Sequence, residues 1–116
     1  MTEKIELTIL RNLIYSEEFY RKVVPFLKSE YFEDIAEKVV YEEIDDFSGK
    51  YDKMPTSEVL IIQLQNRNDL TEETYQNAVE KIKAFNDEYV DTSWLTDATE
   101  KWCQDRALFN AVMESI

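Results

Sequence analysis

Helix-breaking residues are almost missing from this chain. Gly49 is its sole glycine, and Pro25 and Pro55 are its only prolines in 116 residues. A β-sandwich or barrel needs a turn about every 8–12 residues, and turns draw on glycine, proline and asparagine. The residues to build them are not present. What recurs instead is apolar spacing of three and four, the signature of amphipathic helices. At 44% hydrophobic and 13% aromatic residues, the chain has enough apolar surface to fold as one domain despite its charge.

The helices can be followed one by one. Ile5, Ile9, Leu10, Leu13 and Ile14 mark the first, from about Glu3 to Tyr15. Ser16 supplies a hydroxyl cap for a second, with Glu17 and Glu18 in the first turn and Pro25 expected to end it by pushing Val24 out of the helical region. Ser29 is expected to open a long third helix through Phe32, Ile35, Ala36, Val39, Val40, Ile44 and Phe47, closed at Gly49 by a left-handed residue. Thr56 or Ser57 caps a fourth, carrying Val59, Leu60, Ile62 and Leu64. Thr71 caps a fifth, carrying Tyr75, Ala78, Val79, Ile82 and Phe85. Ser93 to Ile116 is one long helix still running at the last residue, which is expected to continue beyond it. The expected class is all-α: a compact bundle of about five short helices over residues 1–92, then a long C-terminal helix over 93–116.

Composition removes most chemistry. The chain has no histidine, which eliminates Ser-His-Asp and Cys-His catalysis, His-containing zinc sites and carboxylate-His di-iron motifs. A single glycine cannot build either glycine-rich phosphate loop. Cys103 is alone, so neither an internal disulfide nor a four-cysteine metal site can form, and it reads as a small buried hydrophobe in a reducing compartment. Acids crowd at Glu30, Glu33, Asp34 and Glu37, and again at Glu42, Glu43, Asp45 and Asp46. An EF-hand needs alternating Asp or Asn before its glycine, and Ile44-Asp45-Asp46-Phe47-Ser48 before Gly49 fails that spacing. The expectation is therefore no catalytic residue, no metal site and no cofactor.

Thirteen basic residues face 25 acidic ones, a net charge of −12 divided equally between the two halves. Such a surface repels nucleic-acid phosphates and anionic membranes, and attracts basic proteins. Tyr31, Tyr41 and Tyr51 are flanked by acids, whereas single-strand binders set their aromatics in a positive groove. The N-terminus carries charges from Glu3 to Glu6, unlike a signal peptide, and no apolar run is long enough to span a bilayer. These features give a cytoplasmic protein with protein partners, bound neither to nucleic acid nor to membrane.

The sharpest signal lies in the last helix. Leu95, Ala98, Trp102, Phe109, Val112 and Ile116 fall at alternating three- and four-residue steps, interrupted only by Asp105. That is a heptad seam able to meet a second helix. Cys103, Ala107 and Ala111 form a smaller stripe beside it. Leu95, Trp102, Phe109, Val112 and Ile116 are accordingly the expected interface residues, with Trp102 and Phe109 as paired aromatic anchors.

Trp94 to Lys101, followed by Arg106-Ala107-Leu108-Phe109-Asn110-Ala111, resembles the DnaB-like replicative DNA helicases of T-even-type phages. Phe19 to Phe26, Ser29 to Glu33 and the proline-led Pro55 to Leu60 resemble the opening helices of the same proteins. The resemblance spans the chain but only the N-terminal quarter or so of such a helicase. It implies a non-catalytic collar domain, with the nucleoside-triphosphate-hydrolysing domain lying elsewhere in the protein. It further implies self-association in a helicase hexamer, primase as partner, a helicase loader as a further candidate partner, and Ser93–Ile116 as the first arm of a helical hairpin. The rival expectation is a stand-alone acidic helical phage protein that mimics nucleic acid and blocks a basic partner.

Overall fold

The computed structural model describes residues 3–116 and, within them, contains six α-helices and one short 3₁₀ turn with no strand. The helices are α1 (Ile5–Tyr15), α2 (Glu17–Val23), α3 (Ile35–Tyr51), α4 (Ser57–Gln65), α5 (Glu72–Lys83) and α6 (Thr92–Glu114), with the 3₁₀ turn at Ser29–Tyr31 between α2 and α3. The all-α class and the long last helix are as expected.

Local chemistry sets most helix starts. Ser16 Oγ accepts from Phe19 N, Thr56 Oγ1 from Val59 N, and Thr71 Oγ1 from Thr74 N. Each side chain thereby satisfies one of the amide donors that a first helical turn leaves free. Asp91 does the same for α6 through Trp94 N, so the helix starts at Thr92, one residue before the expected Ser93.

Three expectations fail here. The helix opened at Ser29 does not run into α3: it is a single 3₁₀ turn, and α3 begins only at Ile35, where Asp34 accepts from the amides of Ala36 and Glu37. The break lets Phe32 turn inward, 2% exposed, to stack on Tyr41 with ring centroids 5.4 Å apart. Gly49 does not close α3, which continues to Tyr51 and ends on Asp52 in the left-handed conformation at φ 55°. Aspartate tolerates that region better than most residues, so glycine is not required there. Val24 stays in the helical region before Pro25, and a final turn continues to Leu27 through amide bonds to the Val23 carbonyl. Pro25 has no amide hydrogen and donates no bond, so the turn is closed by the amides of Phe26 and Leu27 instead.

The core forms around α1, whose Ile9, Leu10 and Leu13 are fully buried and which packs on α2, α3 and α6. Phe19, Val23, Val40, Ile44, Leu60, Leu64, Ile82 and Leu95 join them, so that every other helix contributes one or more residues. Two polar ties cross it. Lys4 Nζ meets the buried Glu37 carboxylate at 2.8 Å, joining the start of α1 to α3. Arg11, 4% exposed, pairs with Glu3 at 3.0 Å and donates to the Glu88 carbonyl at 2.8 Å. That second tie fixes the segment leading into α6.

Candidate functional site

α6 carries the candidate site, and its two halves differ. In the first half Leu95, Thr99 and Cys103 face inward and are buried, with Ala98 and Trp102 half-buried beside them. Burial first, and the Glu100 carboxylate second, push the Cys103 thiol up to about 12, so it stays protonated and unreactive near neutrality. The Trp102 ring lies 4.9 Å from Phe32 and 6.3 Å from Tyr31, edge-on to the latter.

The helix is latched to the 3₁₀ turn one step further on. Arg106 Nε donates to the Tyr31 carbonyl at 2.8 Å, and Asn110 Nδ2 donates to the Glu30 carbonyl at 3.1 Å. The Arg106 guanidinium also lies over the Phe109 ring, 4.7 Å from its centroid, a favourable cation–π placement. Arg106 and Asn110 were not among the expected site residues. Their signal was weak but present, four apart on the face that continues from Trp102.

Beyond the latch the apolar side chains face solvent. Leu108, Phe109, Val112, Met113 and Ile116 are exposed by 67, 46, 53, 53 and 94%. At 3.6 residues per turn they fall in one sector, roughly a quarter turn around the helix from the face that meets the body.

The five expected interface residues therefore divide. Phe109, Val112 and Ile116 lie together on the exposed stripe, joined by Leu108 and Met113, which the heptad pattern missed. Leu95 does not: it is 1% exposed, inside the chain's own core, and out of reach of a partner. Trp102 is half-buried and packs on Phe32 and Tyr31, so it and Phe109, the expected pair of anchors, lie in different surroundings. A straight helix drifts about 20° per heptad, so over the three heptads from Leu95 to Ile116 the seam swings about 60°. It starts in the body and ends in water.

The acidic clusters are structural where they are buried. Glu37 is held by Lys4, with Lys81 at 3.9 Å. Arg67 gathers Glu42, Glu43 and Asp69 at 3.5, 3.4 and 2.7 Å, tying α3 to the loop after α4. Asp45 and Asp46 border an open acidic groove beside this knot. Among the described residues no group of Cys, Asp and Glu is arranged to hold a metal ion, and no helix is long and apolar enough to cross a membrane.

These observations define an all-helical domain with a latched C-terminal helix whose last turns carry an uncovered apolar stripe. No protein-family model matches the chain. Over 108 residues, 93% of its length, it is 35% identical to the DnaB-like replicative helicase of Enterobacteria phage T4. The chain is thus similar in sequence to a DnaB-like replicative helicase, as its motifs led one to expect, and it spans 22% of that helicase's length.

Proposed function

We propose that this chain is a non-catalytic N-terminal collar domain of a phage replicative helicase, which assembles the hexameric ring and docks primase. The observation that carries the reading is the exposed stripe Leu108–Ile116, on a chain related over almost its whole length to a replicative helicase. Contiguous apolar surface of this kind marks interfaces on soluble proteins. Residues 93–116 then act as one arm of a helical hairpin, and residues 3–92 as the globular part of the collar. Nucleotide hydrolysis belongs to another part of such a protein, and this segment uses no cofactor or metal.

The test uses the native gene product that contains this segment, with Phe109→Glu and Val112→Glu combined. Sedimentation velocity should show the hexamer giving way to smaller species, while circular dichroism stays unchanged. Calorimetric titration with the cognate phage primase should show binding by the unmodified protein. A hexamer that survives the double substitution overturns the assembly role, and absence of primase binding overturns the docking role.

A further inference from the structure

The solvent face of α6 carries a second heptad seam, separate from the one that begins in the body. Trp94, Lys101 and Leu108 recur every seven residues, and Ala98, Asp105 and Val112 recur every seven between them. At 3.6 residues per turn this face lies roughly 140° around the helix from Leu95, Thr99 and Cys103, which point into the body. Trp94 is 58% exposed, Leu108 and Val112 are exposed as well, and so are the side chains of Lys101 and Asp105. We propose that α6 pairs along this face with the α6 of a second copy of the chain, antiparallel, in the register that sets Lys101 of each copy against Asp105 of the other. This pairing rests on the assembly reading of α6 and names the surface that meets it.

The seam is complementary to itself. A two-fold axis beside position 103 pairs each residue with the one equally far on the other side, as isologous contacts require. Trp94 and Val112 lie nine positions either side of 103, Ala98 and Leu108 five, and Lys101 and Asp105 two. The axis therefore sets Trp94 against Val112, small Ala98 against large Leu108, and Lys101 against Asp105, each layer occurring twice. Within one chain Lys101 Nζ already lies 3.2 Å from Asp105 Oδ2. In the pair each group gains a second opposite charge across the seam.

Other arrangements of the same face lack this match. Parallel helices in register set Lys101 against Lys101 and Asp105 against Asp105, which repel. An antiparallel register shifted half a heptad sets Asp105 against Leu108 and Lys101 against Val112, burying charge without a partner. Each copy carries −12 overall, which opposes association, but the seam holds one cation and one anion and is itself neutral. Tryptophan is enriched at interfaces, and the exposed Trp94 ring is covered only in the pair. Phe109, Met113 and Ile116 stand to one side of the seam and stay free for another contact.

Sedimentation equilibrium of the 116-residue chain tests the pairing at about 0.15 M salt, where long-range repulsion between copies is screened. The chain should show a monomer–dimer equilibrium. Lys101→Glu and Asp105→Lys should each weaken the dimer about tenfold or more, because each sets like charges together at two places. Circular dichroism should not change, since an exposed pair contributes little to folding. An equimolar mixture of the two variants should restore dimers, because every changed charge then meets its opposite. A chain that stays monomeric up to about 1 mM, single variants that dimerise like the parent, or a mixture no stronger than its components would each overturn the pairing. The assembly reading fails separately: a hexamer lost on Phe109→Glu with Val112→Glu, beside charge variants that dimerise like the parent, refutes this pairing and leaves that reading standing.

Discussion

Trp102 and Phe109 sit seven residues apart on one helix, yet removing each should do different things. Trp102 packs its ring against Phe32 and Tyr31, at 4.9 and 6.3 Å. Truncating a well-packed tryptophan to alanine costs about 3–5 kcal/mol, through lost burial and the cavity left behind. Because Trp102 is only half-buried, the low end of that range applies, about 3 kcal/mol. For a chain of this length 1 kcal/mol corresponds to roughly 4 °C in Tm, so Trp102→Ala should lower Tm by about 12 °C. Phe109 is 46% exposed, with the Arg106 guanidinium over its ring. Its loss should cost less than about 1 kcal/mol, or a few degrees. Thermal unfolding of the two single variants, followed by circular dichroism at equal concentration, makes the comparison. A Trp102→Ala protein that melts within about 2 °C of the parent would show that the ring is not part of the core. A Phe109→Ala protein that melts as early as Trp102→Ala would show that the stripe belongs to the body, and the separation between core face and exposed stripe would fail.

Two further outcomes follow from single positions. Gly49 lies inside α3, and a Cβ added there meets nothing within 4 Å, so Gly49→Ala should stabilise the fold by about 1 kcal/mol in urea denaturation; a loss of stability would contradict the helical placement of Gly49. Burial, against the opposing pull of Arg67, holds the Glu43 carboxyl above its ordinary value. The folded state therefore binds that proton more tightly than the unfolded chain does, and this contribution falls as pH rises from about 4.5 through the folded-state value. Glu43→Gln should remove the contribution, making the variant's stability relative to the parent higher at pH 7 than at pH 4.5; an equal difference at both pH values would refute it.

What the sequence disclosed was whatever is decided within a few residues. The caps at Ser16, Thr56 and Thr71 need only a hydroxyl three residues before an amide, and each was legible. The 3₁₀ turn at Ser29–Tyr31 was not, because its cause is distant: Phe32 leaves the helical line to reach Tyr41 and Trp102, nine and seventy residues further along. Gly49 misled because glycine is the commonest left-handed residue at a helix end, yet Asp52 could take the same conformation one turn later. The candidate site divided on the same ground. A heptad seam is visible as a pattern, but whether a position on it faces the body or water depends on where the body ends. That boundary is drawn by the 3₁₀ turn, through Arg106 and Asn110, and no spacing rule contains it.

The latch also bears on how the stripe can work. Isolated helices of a few turns are marginal in water, because nucleation is costly and tertiary contacts supply most helical stability. The turns after Asn110 border the body only at Ala111 and Glu114, across a groove from Lys28, Glu30 and Tyr31, and their last polar tie is local, from Ser115 Oγ to the Ala111 carbonyl at 2.9 Å. Their helical form is inherited from the anchored half. By fixing the backbone at Tyr31 and Glu30, Arg106 and Asn110 start the free segment from a helix already nucleated and already aimed. A partner helix meeting Phe109, Val112 and Ile116 then pays less to order them, which is where preorganised interfaces gain affinity. The apolar side chains supply the contact, and the two polar residues behind them determine the direction in which it is offered.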